Sequence, residues 1–509
     1  MRKCFGSNKK EVEGSTFVGI FNVFILMWIY CLSTAYGEVK ELNIQILTQQ
    51  SLANNFDINI QKSKLLEKEA LLLKAKGQFD YNLNFDLNYI DSNTPSSSTL
   101  DGGGVAATVE SLSFEKSMTL SKSLGLTGTE LSLPMSVNRQ ETTSATSIFP
   151  VYDQTSFGLS VTQPLIRLFT KDYFLKSVIE ADYDQQIENE KMRKEHADTL
   201  FKIIETYFDV LKDQDNLKHL EATLANDEQN LKFIRAKKKV GKSSRVEVSE
   251  ATVKRNKTKE RFFNTKNSLL RKLNDLKAKV FHRSDISIEF KGNDSEMSAF
   301  EGIMNLKTDE IYKTAIERRA EFKELTLEKE KATRNIKFSS VDKMPSLEVG
   351  YTLTSQGLSD SLGEAKDEGL AGDFLSHNYT LSIEQPIFRH VKKASHKINL
   401  IRLKQAELKL KNFEINLKLE IDTKLNEARS QRQIITAMET SLSAQQEKYK
   451  FFDKRFRIGA ISVFEFNKVA IEKEKALIEL NEARYKFNKI LVELIKIRGD
   501  LIPSLLSKN

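Results

Sequence analysis

Between residues 79 and 89 every odd position is apolar (Phe79, Tyr81, Leu83, Phe85, Leu87, Tyr89) and every even position is polar (Asp80, Asn82, Asn84, Asp86, Asn88). Strict period two predicts a β-strand with one apolar face, and about 9–11 residues is what a tilted strand needs to cross a bilayer. The alternation recurs at Phe157, Leu159 and Val161, at Leu347, Val349, Tyr351 and Leu353, and at Tyr379, Leu381 and Ile383. Two more runs, 112–120 and 131–137, flank a turn at Gly125-Leu126-Thr127-Gly128. They could add a hairpin to the same wall, whereas Pro134 favours an edge or a place outside the membrane, because proline cannot donate to a ladder. The chain therefore carries four or six strands. Polar stretches at 91–108 and 355–375 read as long loops.

Elsewhere the apolar positions follow a helical period. The pattern predicts helices over 40–76 (with a break at Asn54-Asn55), 168–240, 244–281, 308–341, 389–457 and 462–498. In the last of these Leu477, Leu480, Phe487, Leu491 and Leu494 form a coiled-coil seam. A helix of about 70 residues is roughly 100 Å long, more than a compact domain holds. An isolated coiled coil accounts for the helices but not the strands. A soluble β-sandwich accounts for the strands but not the helices.

The plan is used twice. Val240-Gly241-Lys242-Ser243-Ser244-Arg245-Val246-Glu247 and Ile458-Gly459-Ala460-Ile461-Ser462-Val463-Phe464-Glu465 each join a long helix to a medium one. In each, a glycine ends one helix and Ser-x-x-Glu starts the next as a capping box. Gln163-Pro164-Leu165-Ile166-Arg167 and Gln385-Pro386-Ile387-Phe388-Arg389 repeat at the strand exits. The predicted organisation is a first repeat over 38–281 with strands over about 79–163, a linker over 282–307, a second repeat over 308–498 with strands over about 345–386, and a tail over 499–509.

Composition adds the compartment. Basic residues at 2, 3, 9 and 10 precede an apolar run over 17–32 and the small-residue site Ala35-Tyr36-Gly37, so residues 1–37 read as a signal peptide. Both cysteines, Cys4 and Cys31, fall in it, which leaves the mature chain without disulfide or thiol chemistry. The net charge is +8, with basic and acidic residues interleaved along the helices. That is a solvated surface and no nucleic-acid footprint. The six histidines (196, 219, 282, 377, 390, 396) show no metal-ligand spacing, and no phosphate loop or catalytic motif is present. The expectation is a non-enzyme without metal or cofactor.

On the duplicated plan, the Gln-Pro-Leu/Ile exits and the two Val/Ile-Gly turns, the chain resembles the TolC-like outer membrane efflux protein family over almost its whole mature length. The resemblance implies an α+β membrane protein that works as a homotrimer. Four strands per protomer would form one twelve-stranded outer-membrane β-barrel, continuing into a long periplasmic α-helical coiled-coil barrel. It implies an exit channel for small molecules or proteins, with a periplasmic adaptor (membrane fusion) protein and an inner-membrane pump or ABC exporter. It places an adaptor-docking tip at Val240, Gly241, Ser244, Ile458, Gly459 and Ser462, and an entrance gate at Glu465. Lys468 stands where a second acidic residue often follows, and Lys237, Lys238, Lys239, Lys242 and Arg245 make the first turn basic. The rival reading is an exported coiled-coil fibre or adhesin without channel activity.

Overall fold

The computed structural model describes residues 40–42, 44–95, 108–144, 147–170, 172–281, 288–290 and 301–506. The expected signal peptide with Cys4 and Cys31, most of the 91–108 loop, His282 and most of the linker lie outside the described residues. In chain order the elements are β1 (Lys40–Leu42), α1 (Ile44–Asn54), α2 (Phe56–Lys76), β2 (Asn82–Pro95), β3 (Thr108–Ser123), β4 (Glu130–Thr142), β5 (Val151–Pro164), α3 (Lys176–Lys239), α4 (Arg245–Val280) and β6 (Ile288–Phe290). There follow α5 (Thr308–Arg318), α6 (Ala320–Val341), β7 (Ser346–Ser359), α7 (Leu362–Ala371), β8 (Leu375–Glu384), α8 (His390–Arg457), α9 (Val463–Arg498) and α10 (Leu501–Leu506).

The chain divides into two compact units. One comprises 60–194 and 319–416, the other the remaining N-terminal, middle and C-terminal stretches. The first unit holds a six-stranded antiparallel sheet in the order β2-β3-β4-β5-β7-β8. The extra hairpin, open in the sequence, is thus part of the sheet. Its turn reaches the strand exits: Gln163 Nε2 donates to the Thr127 carbonyl at 3.0 Å, and Thr129 Oγ1 donates to Gln163 Oε1 at 2.6 Å.

Pro134 sits inside β4 and not at an edge. The sheet accommodates it on both sides. It lies opposite Thr119 of β3, while the ladder to β5 skips from Ser132↔Ser160 to Met135↔Phe157. Gly158 fills the gap, and a Cβ there would stand 2.9 Å from Pro134 Cγ.

Several boundaries move. Residues 77–79 form a 3-10 turn, so the alternating strand runs over Asn82–Pro95 instead of 79–89. The third helix starts at Lys176, not 168, because Asp172 takes a φ of 65° after a 3-10 turn over Ile166–Phe169. Tyr173 then anchors the start by donating to Asp342 Oδ1 at 2.5 Å. The expected 308–341 helix breaks at Arg319, whose ψ of 125° leaves the helical region. The 355–375 stretch is no loop: β7 continues to Ser359, and α7 starts on the Ser361 cap and ends on Gly372 at φ 78°.

The other unit is helical, with a two-stranded parallel sheet of β1 and β6. Residues 40–42, expected as helix, pair there, and 288–290 supply their partner from within the expected linker. Asn55 explains the break between α1 and α2. Its Oδ1 accepts from the Asp57 and Ile58 amides at 2.9 and 3.3 Å, and its Nδ2 donates to the Lys279 carbonyl at 3.0 Å. Tyr207, Phe208, Leu276, Phe487, Leu491 and Leu494 are all buried. Of the α9 seam, Leu480, Phe487, Leu491 and Leu494 are core and Leu477 is half-buried.

Candidate functional site

Both helical turns follow the geometry that their residues require. Gly241 and Gly459 have φ of 72° and 81°, left-handed values at which a Cβ is strained. Each closes the helix before it with a pair of bonds. Gly241 N donates to the Lys238 carbonyl at 3.0 Å and Lys242 N to the Lys237 carbonyl at 2.9 Å. Gly459 N reaches the Phe456 carbonyl at 3.1 Å and Ala460 N the Arg455 carbonyl at 2.8 Å. These are Schellman closures, satisfying carbonyls that a helix end leaves orphaned.

The next helix starts on a reciprocal box. Glu247 N donates to Ser244 Oγ at 3.1 Å, and Ser244 N returns a bond to Glu247 Oε2 at 2.8 Å. Glu465 N donates to Ser462 Oγ at 3.2 Å, and Ser462 N to Glu465 Oε2 at 3.0 Å. The hydrogen bond from the Ser243 hydroxyl, then that from the Ser244 amide, holds Glu247 below the usual carboxylate range. The Ser462 amide, then its hydroxyl, does the same for Glu465. The residue expected at the gate is therefore first a capping group.

Beneath the two turns lies one small core. Leu231, Ile234, Ala251, Phe456, Val463 and Phe466 are buried together, with Val248, Tyr449, Phe452 and Ile461 against them. Phe456 and Phe466 stack at 4.5 Å with rings 3° from parallel. Helices α3, α4, α8 and α9 thus meet at one tip, which brings all six expected docking residues and Glu465 to one end of this unit. Above the core, Val240, Ile458, Phe464 and Val246 are exposed, Ile458 at 80%.

The basic character that the sequence shows at the first turn is not confined to it. Helix α3 ends in Lys237, Lys238 and Lys239, but α8 also ends in Lys454, Arg455 and Arg457. The tip is an apolar cap ringed by cations. Lys237 Nζ lies over the Phe233 and Phe456 rings at 4.5 and 5.6 Å.

One group was not legible from spacing. Lys254 Nζ and Asp227 Oδ1 form a buried ion pair at 2.9 Å, and Thr258 Oγ1 donates to Asp227 Oδ2 at 2.7 Å. In the sequence these are ordinary charges on solvated helices; only their burial distinguishes them. Among the described residues no cluster of His, Cys, Asp or Glu could hold a metal ion, and no helix is long and apolar enough to cross a membrane.

The sheet, in the other unit, is a separate candidate surface. One face carries the row Phe85, Met118, Met135, Phe157, Ser355 and Leu375 and, beside it, Leu83, Leu120, Leu133, Leu159 and Leu353. Tyr351 and Tyr379 pair in a lower row, with Tyr81 near the foot of β2. From Tyr81 to Tyr89 is about 27 Å along the strand, which at a tilt of about 40° spans about 21 Å of height, most of the roughly 25 Å apolar band between aromatic girdles of an outer-membrane barrel. The opposite face carries Asn82, Ser121, Ser132, Ser160, Thr352 and Asn378 in one row. The apolar side chains of β2 and β8 are exposed, with Leu83 at 62% and Leu381 at 65%.

Known structures share this architecture. CusC, whose structures concern folding and transmembrane channel formation, aligns over 91% of this chain and 93% of its own at a TM-score of 0.66 and 16% identity. The CmeC outer membrane channel of Campylobacter jejuni aligns over 90% and 86% at 0.65 and 14%. The open state of the MtrE outer membrane channel of Neisseria gonorrhoeae aligns over 90% and 88% at 0.61 and 13%. At these identities the likeness is one of fold. No curated protein matches the chain by sequence. The family model described as outer membrane efflux protein matches residues 130–279 and 311–500. That match covers about two thirds of the sequence, including β4, β5 and both turns, and the chain belongs to the outer membrane efflux protein family.

Proposed function

We propose that three copies of this chain assemble into an outer-membrane exit channel, which exports small molecules or proteins together with an inner-membrane pump or ABC exporter. The observation that carries this reading is the sheet. It has one apolar and one polar face, and its edge strands β2 and β8 pair with nothing else among the described residues. An open edge cannot stand in lipid, where unpaired backbone groups have no water. Six is an even number, so β8 of one copy meets β2 of the next antiparallel, as every other neighbour in the sheet does. Copies therefore close the barrel without a change of pattern.

A periplasmic adaptor would dock on the tip. Its surface, Val240, Gly241, Ser244, Ile458, Gly459 and Ser462, offers the exposed apolar side chains of Val240 and Ile458 on well-capped turns. Glu465 would place a carboxylate near the entrance while holding its cap. The energy for export would come from the pump.

The decisive test is fractionation followed by reconstitution. The protein should sediment with outer membranes, migrate as a trimer in mild detergent and carry ion current in planar bilayers. A soluble monomer without conductance would sink the proposal and favour the adhesin reading.

A further inference from the structure

The hairpin β3–β4 has no place in a four-strand protomer. Its 16- and 13-residue strands match the 14 residues of β2 and β5. Its turn reaches the strand exits: a Cβ on Gly125 would stand 3.2 Å from the Phe79 ring and 2.9 Å from Leu175, and one on Gly128 would meet the Phe174 ring. The hairpin thus runs the full height of the sheet. Its faces are in register with its neighbours. Phe114, Met118, Leu120, Leu133 and Met135 continue the apolar face, and Ser113, Ser117, Ser121, Ser132, Ser136 and Asn138 continue the polar one.

The polar face has a further property. Among the described strand residues it carries Asp86, Glu115, Glu130, Glu348 and Glu384 but no Lys, Arg or His. The basic residues of the hairpin strands, Lys116, Lys122 and Arg139, all lie on the other face. Most remaining polar-face residues are small: serines, threonines, asparagines and the glycines Gly158 and Gly350.

We propose that the inserted hairpin is part of the transmembrane wall, giving the trimer an eighteen-stranded barrel with a wide, cation-favouring aqueous lumen. The strand count rests on the trimeric channel proposed above. With strands about 4.8 Å apart and tilted about 40°, eighteen strands close at a backbone diameter of about 36 Å, against about 24 Å for twelve. Barrels of sixteen to eighteen strands leave an open aqueous channel. Small hydroxyl and amide side chains fill little of that bore, and carboxylates without cations on a low-dielectric wall concentrate positive solutes. The cargo class that fits is bulky, hydrated and neutral or positively charged.

Ser117 is the probe position. It pairs with Asp86 on β2 and with Ser136 on β4, and Glu115 is two residues along the same face. The only native cysteines are Cys4 and Cys31, within the expected leader, so introduced thiols stand alone in a processed chain. Single variants Ser117→Cys, Ser136→Cys, Met118→Cys and Met135→Cys are labelled in intact outer membranes with membrane-impermeant methanethiosulfonates, one cationic and one anionic. The same samples are run on mild-detergent gels.

The expected result is labelling at 117 and 136, protection at 118 and 135, and a trimer. At 117 the cationic reagent should react severalfold faster than the anionic one, relative to a free thiol. Adding Asp86→Asn and Glu115→Gln, or high salt, should erase that preference. A trimer whose 117 and 118 positions label alike overturns the hairpin's place in the wall and leaves the channel reading standing. Alternating labels on a non-trimer overturn the strand count through the oligomer it rests on. Equal or anion-preferring rates at 117 overturn the selectivity.

Discussion

At the residue scale the two tip turns depend on a few atoms. Nothing stands within 4 Å of a Cβ built on Gly241, and only Lys237 Nζ, at 3.9 Å, near Gly459. Steric room is therefore not the constraint; the left-handed φ is. Gly459→Val should destabilise the turn by about 1–3 kcal/mol. Export should fall while trimer assembly and barrel insertion persist, as a transport assay beside a trimer gel would show. Ser462→Ala removes the cap acceptor, worth about 1 kcal/mol, and should loosen amide protection over 463–466. Glu465→Gln separates cap from charge. Glutamine still reaches back to the Ser462 amide but without the charge. Helix protection should therefore fall only as far as it does on protonation of Glu465 and less than in Ser462→Ala, while a change in conductance beyond that reports the entrance role.

The same carboxylates set a pH dependence. Glu247 and Glu465 both hold their protons less tightly in the folded chain than an ordinary glutamate. Their contribution is complete above the unfolded glutamate pKa of about 4.3 and fades as pH falls through the lowered folded value. Amide protection at 245–248 and 463–466, corrected for intrinsic exchange, should be unchanged between pH 8 and 6 and reduced near pH 3. Equal protection at pH 3 would show that the carboxylate charges add nothing to the hydroxyl caps of Ser244 and Ser462.

At the scale of elements, local rules carried some features of the chain and missed others. The tip turns were legible because Gly and Ser-x-x-Glu act within a few residues, and the structure keeps both boxes. The same rule was present at Ser361 and Glu364 with Gly372 behind them, yet the polar composition of 355–375 masked helix α7. Its burial comes from contacts distant in sequence: Thr155 Oγ1 donates to the Ala365 carbonyl at 2.6 Å and Ser355 Oγ to the Gly369 carbonyl at 2.6 Å. Pro134 was misleading for a related reason, since its relief lies in Gly158 on another strand. The Asp227–Lys254 pair shows no periodic signature at all.

These non-local contacts are testable. On Gly357 a Cβ would fall 2.0 Å from the Ala365 carbonyl oxygen and 2.6 Å from Gly369 N, both backbone atoms. Gly357→Ala should therefore lift α7 from the sheet and open 360–374 to protease, while Gly363→Ala, with open space around it, should not. Asp227→Ala strands a buried ammonium and should destabilise the tip by about 3–5 kcal/mol, whereas replacing both partners with apolar residues should be far milder. Thermal melts of the single and double variants distinguish the two.

At the scale of the whole molecule, the repeat and the oligomer express one constraint. A sheet with an apolar face needs lipid or a second layer, and the two edge strands need partners. If copies close the barrel as proposed, β8 of one meets β2 of the next, and the alternation of direction and of faces continues across that junction without a defect. The junction can be trapped. Asn84 on β2 and Asn378 on β8 both lie on the polar face. A chain carrying Asn84→Cys together with one of Ser376→Cys, Asn378→Cys or Thr380→Cys samples the neighbouring registers across the seam. Oxidation of outer membranes should convert one of these combinations into covalent dimers and trimers on denaturing, non-reducing gels, with nothing larger, and each single variant should run there as a monomer. A ladder extending beyond three would replace the closed trimer with an open or larger ring. Monomer in every combination would mean that β2 and β8 are covered by something other than each other.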